Sequence, residues 1–317
     1  MEGEVSLQYD FAPMEGLTTY IYRNAHAKYF PGIHQYFAPF IGSMHMSSRD
    51  INGILPENNQ GLTLIPQILT NKASEFLAIA NVLKDYGYDT VNLNLGCPSG
   101  TVVAKHRGAG FLEDPVALDH FLEEIFERCP LKISIKTRIG MDFLSEWEDL
   151  LKIYAKYPLE ILIIHPRLRK EFYAGQPHND AYRQAFSLPF PLCANGDIVS
   201  PQSLRTLQEE FPTLEHVMIG RGLLRRPWLV QQLSSENPAD FPLSKQTVLD
   251  FHNEILEGYL GIMSGEQPVL YKMKDLWTHL ACSFTNSDKY LKKIRKANHL
   301  SEYRLEVAKL FREQELL

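Results

Sequence analysis

The chain has 317 residues, 44% hydrophobic and 22% charged, with a formal net charge of −6, which excludes a disordered chain and one that coats nucleic acid through bulk charge, though not a local basic face. Its four cysteines, Cys97, Cys129, Cys193 and Cys282, form no CxxC pair, a usage that favours a reducing, cytoplasmic setting and gives no support for a metal site. The opening M-E-G-E-V-S-L-Q-Y-D is acidic and not a signal peptide, and no stretch approaches the ~20 apolar residues of a membrane span.

Short apolar runs recur along the chain, each followed by turn residues and most by a stretch of helical periodicity. The first, Tyr9–Met14, leads into a helix over Thr19–Lys28; the second is Gln35–Phe40; the third, Leu64–Leu69, precedes an amphipathic Asn71–Lys84. The fourth, Val91–Leu95, breaks at Gly96, with Cys97 and Pro98 at the break, then Lys105-His106-Arg107 and a Gly-Ala-Gly. A helix over Asp114–Arg128 follows, with Pro115 suited to its first turn. The fifth strand is Leu131–Arg138, with a helix near Leu144–Lys156; the sixth is Glu160–His165; the seventh is Phe190–Asn195, followed by a helix over Ser200–Glu210; the eighth is His216–Gly220.

Such alternation implies a parallel sheet, and eight units within about 240 residues match a (β/α)8 TIM barrel. A doubly wound open sheet is the alternative, but no G-x-G-x-x-G follows an early strand. Beyond Trp228 the polar, proline-rich Ser235–Pro242 reads as a linker, and from Ser244 onward the pattern is helical: Lys245–Met263, Pro268–Phe284 and Asp288 to the end. The division is therefore a barrel over residues 1–240 and a helical bundle over 241–317. The basic run Lys289–Lys296 is either a solvated helix face or a phosphate-binding one.

In a barrel the carboxyl ends of the strands share one face. These ends carry Pro13, Met14 and Glu15; Pro39; Gln67; Asn94 with Cys97; Lys136 with Arg138; His165 with Arg167; Asn195, Gly196 and Asp197; and Gly220, Arg221 and Gly222. Glycine turns after the last two strands suit a phosphate, and Arg221 can add a charge-assisted pair. Lys136 reads as a Schiff-base nucleophile, as a cation beside an electron-rich ring, or as a snorkelling lysine. Cys97, between Gly and Pro at a strand end, reads as functional, whereas Cys129, Cys193 and Cys282 read as inert.

The motifs N-L-G-C-P, G-A-G-F-L, I-K-T-R-I-G, I-H-P-R-L-R, A-N-G-D-I and G-R-G-L-L-R-R-P-W resemble, taken together, those of the tRNA-dihydrouridine synthases. The resemblance spans about residues 11–229 and weakens in the helical tail, where Y-K-M-K-D-L-W-T-H-L stands at the place of the family's tRNA-gripping helices. It implies FMN in the barrel mouth, NADPH as reductant, and reduction of selected tRNA uridines to 5,6-dihydrouridine by a cytoplasmic enzyme, monomeric and without a protein or membrane partner. By the same resemblance Pro13, Met14 and Gln67 meet the flavin ring. Lys136 and His165 hold the flavin and its ribityl-phosphate side, and Asn195, Gly196, Asp197, Gly220 and Arg221 form the phosphate cradle. Asn94 holds the uracil, Lys105 and Arg167 lie near the substrate, and Cys97 is the catalytic acid.

The chemistry is consistent with this reading: hydride added at uracil C6 leaves C5 in need of a proton, and a thiol with an ordinary pKa of about 8.5 is protonated at neutral pH. Thr70, Gly100, Thr101, Pro166 and Leu168 depart from the family pattern. The competing readings are an FMN-dependent reductase of a small unsaturated substrate, a Schiff-base aldolase using Lys136, and a non-catalytic tRNA-binding barrel.

Overall fold

The computed structural model describes residues 7–235, 237 and 241–317. In chain order the barrel comprises β1 (Gln8–Phe11), α1 (Tyr20–Tyr29), β2 (Gln35–Phe37), α2 (Ser48–Ile54), β3 (Leu64–Ile65), β4 (Gln67–Ile68), α3 (Ala73–Asp85), β5 (Thr90–Leu95), α4 (Gly100–Val103), α5 (Pro115–Arg128), β6 (Lys132–Arg138), α6 (Glu146–Tyr154), β7 (Leu162–His165), α7 (Asp180–Ala185), β8 (Leu192–Asn195), α8 (Pro201–Glu210), β9 (His216–Ile219), α9 (Arg221–Arg225) and α10 (Leu229–Leu233). Four longer helices follow: α11 (Lys245–Ile262), α12 (Glu266–Leu280), α13 (Asp288–Lys296) and α14 (Leu300–Glu313). No helix among the described residues is long and apolar enough to cross a membrane. The N-terminal six residues, and residues 236 and 238–240 of the expected linker with the boundary at 240, lie outside the described residues.

All pairings between named strands are parallel, in the order β3-β2-β1-β9-β8-β7-β6-β5-β4. The first and last strands pair directly, Gln8 opposite His216 and Phe11 opposite Ile219, giving a near-closed barrel. The sequence leads one to expect eight strands, but nine form. The apolar run Leu64–Leu69 splits at Pro66, whose missing N–H interrupts the ladder. β3 stays with β2 and β4 passes to β5. The tail beyond Asp288 likewise divides in two at Ala297–His299.

Local signals set the helix starts. Thr19, Ser47, Asp114 and Ser200 cap α1, α2, α5 and α8 with side-chain oxygens, and Pro115 and Pro201 occupy first turns, where a missing donor costs nothing. Inside the barrel Ala12, Phe37, Ile65, Ile161, Ile163, Cys193 and Met218 pack on one another. Outside it a larger core runs without a break into the four terminal helices. Phe251 of α11 seats edge-on against Tyr22 and Phe30, at centroid distances of 5.5 and 5.2 Å. Gly258 permits this approach, since a Cβ there would come within 2.6 Å of Ile21 Cγ2. α12 also reaches the barrel mouth, where Lys272 donates to the Gly16 carbonyl at 2.8 Å.

Candidate active site

A cavity opens at the carboxyl ends of the strands, lined by the β1, β5, β6, β7, β8 and β9 termini. Its β5 side is built from amides. Asn94 Oδ1 accepts from the backbone N–H of Gly96 and of Cys97, at 3.0 and 2.9 Å, and so fixes the turn on which the thiol stands. Asn94 Nδ2 donates to Gln67 Oε1 at 2.8 Å, Gln67 Nε2 to Asn92 Oδ1 at 2.7 Å, and Asn92 Nδ2 to Ser134 Oγ at 2.8 Å. Each is buried, so every polar atom that pairs here avoids the cost of an unmet hydrogen bond. Behind Cys97 the loop is pressed tight: a Cβ on Gly108 would lie 2.9 Å from the Cys97 carbonyl oxygen.

Burial pushes the Cys97 thiol above its ordinary range, against the opposing pull of the Ser99 backbone and the Arg138 and Lys136 charges. The thiol is therefore protonated at neutral pH. Lys136, facing the same cavity, is pushed down to about 8, first by burial and then by Arg138. Arg138 is pushed down to about 10, chiefly by burial. It donates to the carbonyls of Gly96, Leu168 and Phe172 at 3.0, 2.9 and 2.6 Å, tying the β5, β6 and β7 ends together.

His165 is held well below the usual histidine range by burial and by the surrounding cations Arg138, Lys136, Arg167 and Arg221. It stays neutral. Arg167 Nη1 donates to its Nε2 at 3.3 Å, which places the imidazole proton on Nδ1. At the β8 end, Gly196 adopts φ +144°, and a Cβ there would meet His165 Cδ2 at 3.0 Å. Asp197 follows in the left-handed region, and its carboxylate bridges Arg167 and Arg221, the latter at 2.8 Å. A Cβ on Gly220 would crowd Met14 Sδ at 3.3 Å. Backbone, not side chain, therefore forms this part of the wall.

The structure brings Pro13, Met14, Gln67, Asn94, Cys97, Lys136, His165, Asn195, Gly196, Asp197, Gly220 and Arg221 to the one cavity. It does not bring Lys105 or Arg167 to the wall. Lys105 is exposed beyond α4, on a loop held by Arg107, which reaches the Gly42 carbonyl and the Glu75 carboxylate that Thr70 also grips. Arg167 is fully buried, because the turn that follows β7 directs it behind His165. Asn94 has both amide atoms engaged in positioning the Cys97 turn and Gln67, which leaves one N–H for any ligand. The Asp197 side chain clamps two arginines, so any phosphate here would meet the backbone N–H groups of this turn and not that carboxylate.

Sequence reasoning placed Arg138 on the rim without giving it a role, and it missed Tyr173. Arg138 stood at a strand end, but the three carbonyls that define its part come from other segments. Tyr173 lies off any strand, and nothing in its spacing marked it. It is half exposed, with the Arg221 guanidinium 4.5 Å and the Arg138 guanidinium 5.4 Å from its ring centroid.

The model of the dihydrouridine synthase (Dus) family matches residues 10–316. The chain belongs to that family. A probable tRNA-dihydrouridine synthase from Rhodobacter capsulatus is 27% identical over 262 residues, covering 80% of this chain and 79% of the relative. Another from Rhizobium leguminosarum bv. phaseoli is 27% identical over 197 residues, and there the chain spans 62% of the relative's length. A morphinone reductase in complex with tetrahydroNAD superposes with a TM-score of 0.50 at 10% identity, over 71% of this chain and 86% of the other. That last likeness bears on the barrel alone, and the dihydrouridine synthase match accounts for both barrel and helical tail.

Proposed function

We propose that this chain reduces uridines of tRNA to 5,6-dihydrouridine, with FMN in the barrel mouth and NADPH as the source of electrons. The observation that carries the reading is the placement of Cys97, its turn fixed by Asn94, on the same cavity wall as Lys136. The residues fit the cofactor: a wall with the cations Lys136, Arg138 and Arg221, backbone-lined turns at Gly196 and Gly220, and buried amides at Gln67 and Asn94. Bound there, FMN would supply the hydride for uracil C6.

The chain's own residues do the rest. Cys97 gives its proton to C5, and burial keeps that proton on sulfur until the acceptor arrives. Lys136, with no carboxylate partner among the described residues, stabilises negative charge on an incoming ring. Neutral His165 offers a donor at Nδ1 while Arg167 holds its other nitrogen. The backbone at Gly196, Asp197 and Gly220, with Arg221 beside it, holds the phosphate. Met14 and Pro13 exclude water from one side of the mouth.

A base must leave its stack to reach this mouth. The barrel over residues 1–240 then acts as catalytic domain and the helices of 241–317 as the RNA grip. On α13, Lys289, Lys292, Lys293, Arg295 and Lys296 are all exposed while Tyr290 and Ile294 face inward, a phosphate-facing surface despite the net charge of −6. The test is mass spectrometry of unmodified tRNA after incubation with the protein, FMN and NADPH. Dihydrouridine at a defined position, absent with Cys97→Ala, supports the reading. NADPH oxidation with bound flavin and unchanged tRNA overturns it in favour of a small-molecule reductase.

A further inference from the structure

At the floor of the barrel, opposite the mouth, three lone-pair donors converge. Asp10 lies in β1, His34 stands just before β2, and His216 opens β9; one ligand atom from each lies within 4.8 Å of the others. Topology makes the meeting unavoidable. β1 pairs with both β2 and β9, so Asp10 sits opposite Gln35 on one side and opposite Met218, two residues along from His216, on the other. Asp10 and His216 share the strand parity of Ala12 and Met218, which are interior residues, and therefore point into the barrel.

Asp10 is 1% exposed, and no lysine or arginine among the described residues pairs with it. A buried carboxylate in that position lacks a full positive partner. Its Oδ1 lies 3.4 Å from His34 Nδ1, and its Oδ2 accepts the Cys193 thiol at 3.9 Å. The His34 and His216 rings meet edge to face at 6.1 Å, and Nδ1 of His216 is buried with no hydrogen-bond partner. His34 is exposed, which gives an ion a route in from solvent.

We propose that Asp10, His34 and His216 form a divalent-cation site, best suited to zinc. Two imidazoles and one carboxylate are borderline-soft donors that zinc accepts in tetrahedral geometry, leaving one position for water. Cys193, holding the second carboxylate oxygen, acts as the outer partner that orients the ligand. Ligation at about 2.0–2.2 Å requires the three atoms to draw together, and His34, at the end of a surface turn, has the freedom to do so. The ion ties the first strand to the last and to the segment that opens β2, clamping the seam at which the barrel closes. It is separate from the mouth and takes no part in uridine reduction.

The experiment uses the untagged full-length chain, stripped with a chelator and titrated with Zn2+ by calorimetry and with Co2+ by visible absorption. One ion per chain and a rise in Tm with Zn2+ are expected. His34→Ala and His216→Ala should each lower affinity at least about 100-fold, beyond the effect of losing an outer partner, and should abolish the Tm rise. Cys97→Ala should bind as the parent does. His34→Ala removes a surface side chain, and its circular dichroism in the metal-free state checks that it folds. Absence of stoichiometric binding, or undiminished binding in both histidine variants, overturns the proposal. Because the readout is the ion, neither result depends on whether the chain acts on tRNA.

Discussion

At the mouth of the barrel the strand ends deliver cations and a thiol; at its floor they deliver a carboxylate and imidazoles. Lys136, Arg138 and Arg221 line the mouth, Arg167 lies buried behind it, Asp197 bridges Arg167 and Arg221, and burial drags Lys136 and Arg138 down to about 8 and about 10. The floor has the opposite shortage, a buried Asp10 beside His34 and His216. The contrast teaches that each end lacks the charge its ligand would bring. One sheet, threaded through once, presents both deficits because its strands all run in the same direction.

The largest effect belongs to the thiol at the mouth. Cys97→Ala should lower uridine reduction by about 10²–10⁴-fold, the range for a lost general acid, while flavin absorbance of the purified protein persists. Loss of flavin as well would make Cys97 a structural element of the mouth. Next in size, Arg167→Met strips a buried guanidinium from Asp197 and His165 and should cost about 3–5 kcal/mol of stability in urea unfolding. A loss under about 1 kcal/mol would show that water replaces it.

Lys136→Gln should weaken FMN binding to the flavin-free protein by about 10- to 100-fold, as expected for one charge-assisted contact, read by quenching of flavin fluorescence. The sign of the pH dependence follows. An anionic ligand favours charged Lys136, so the parent's affinity should hold below pH 8 and fall as pH rises through about 8; the variant's should not. On the acid side, His26 and His252 are held at about 3 and about 4, and His165 well below 6.5, all mainly by burial. The unfolded chain takes up those protons first. Stability should therefore decline as pH drops below 6.5 towards 3, at a rate set by the extra protons bound on unfolding. The smallest stability effect belongs to the floor: in metal-free protein His34→Ala should cost about 1–3 kcal/mol, since it takes a hydrogen-bonding partner from the buried Asp10 carboxylate.

The barrel was legible because most strands run into turn residues and α1, α2, α5 and α8 begin with a side-chain cap. Pro66 hid its effect inside a continuous apolar run, where hydrophobicity says strand and only the missing N–H says break. At the site, residues on strand termini were legible because parity and the common rim place them together. Arg167 was not, for one turn past β7 decides whether a side chain faces the cavity or backs another residue. Arg138, Tyr173 and the floor cluster depend on partners from separate segments, and no local pattern encodes such meetings. The cysteines, with no CxxC pair, offer no metal motif; the cation site we propose on the floor rests instead on two histidines and an aspartate from three separate segments.

The row of amides below Cys97 has a grammar. Every link donates the same way: Gly96 and Cys97 N–H to Asn94, Asn94 to Gln67, Gln67 to Asn92, Asn92 to Ser134, and Ser134 to the Val91 carbonyl. Like words in a fixed order, none can be reversed alone. Exchanging one amide for an acid silences a donor and leaves its neighbour's acceptor unanswered in the dark interior. Ser134, a small residue on another strand, thus helps spell out where a sulfur stands at the far end of the sentence.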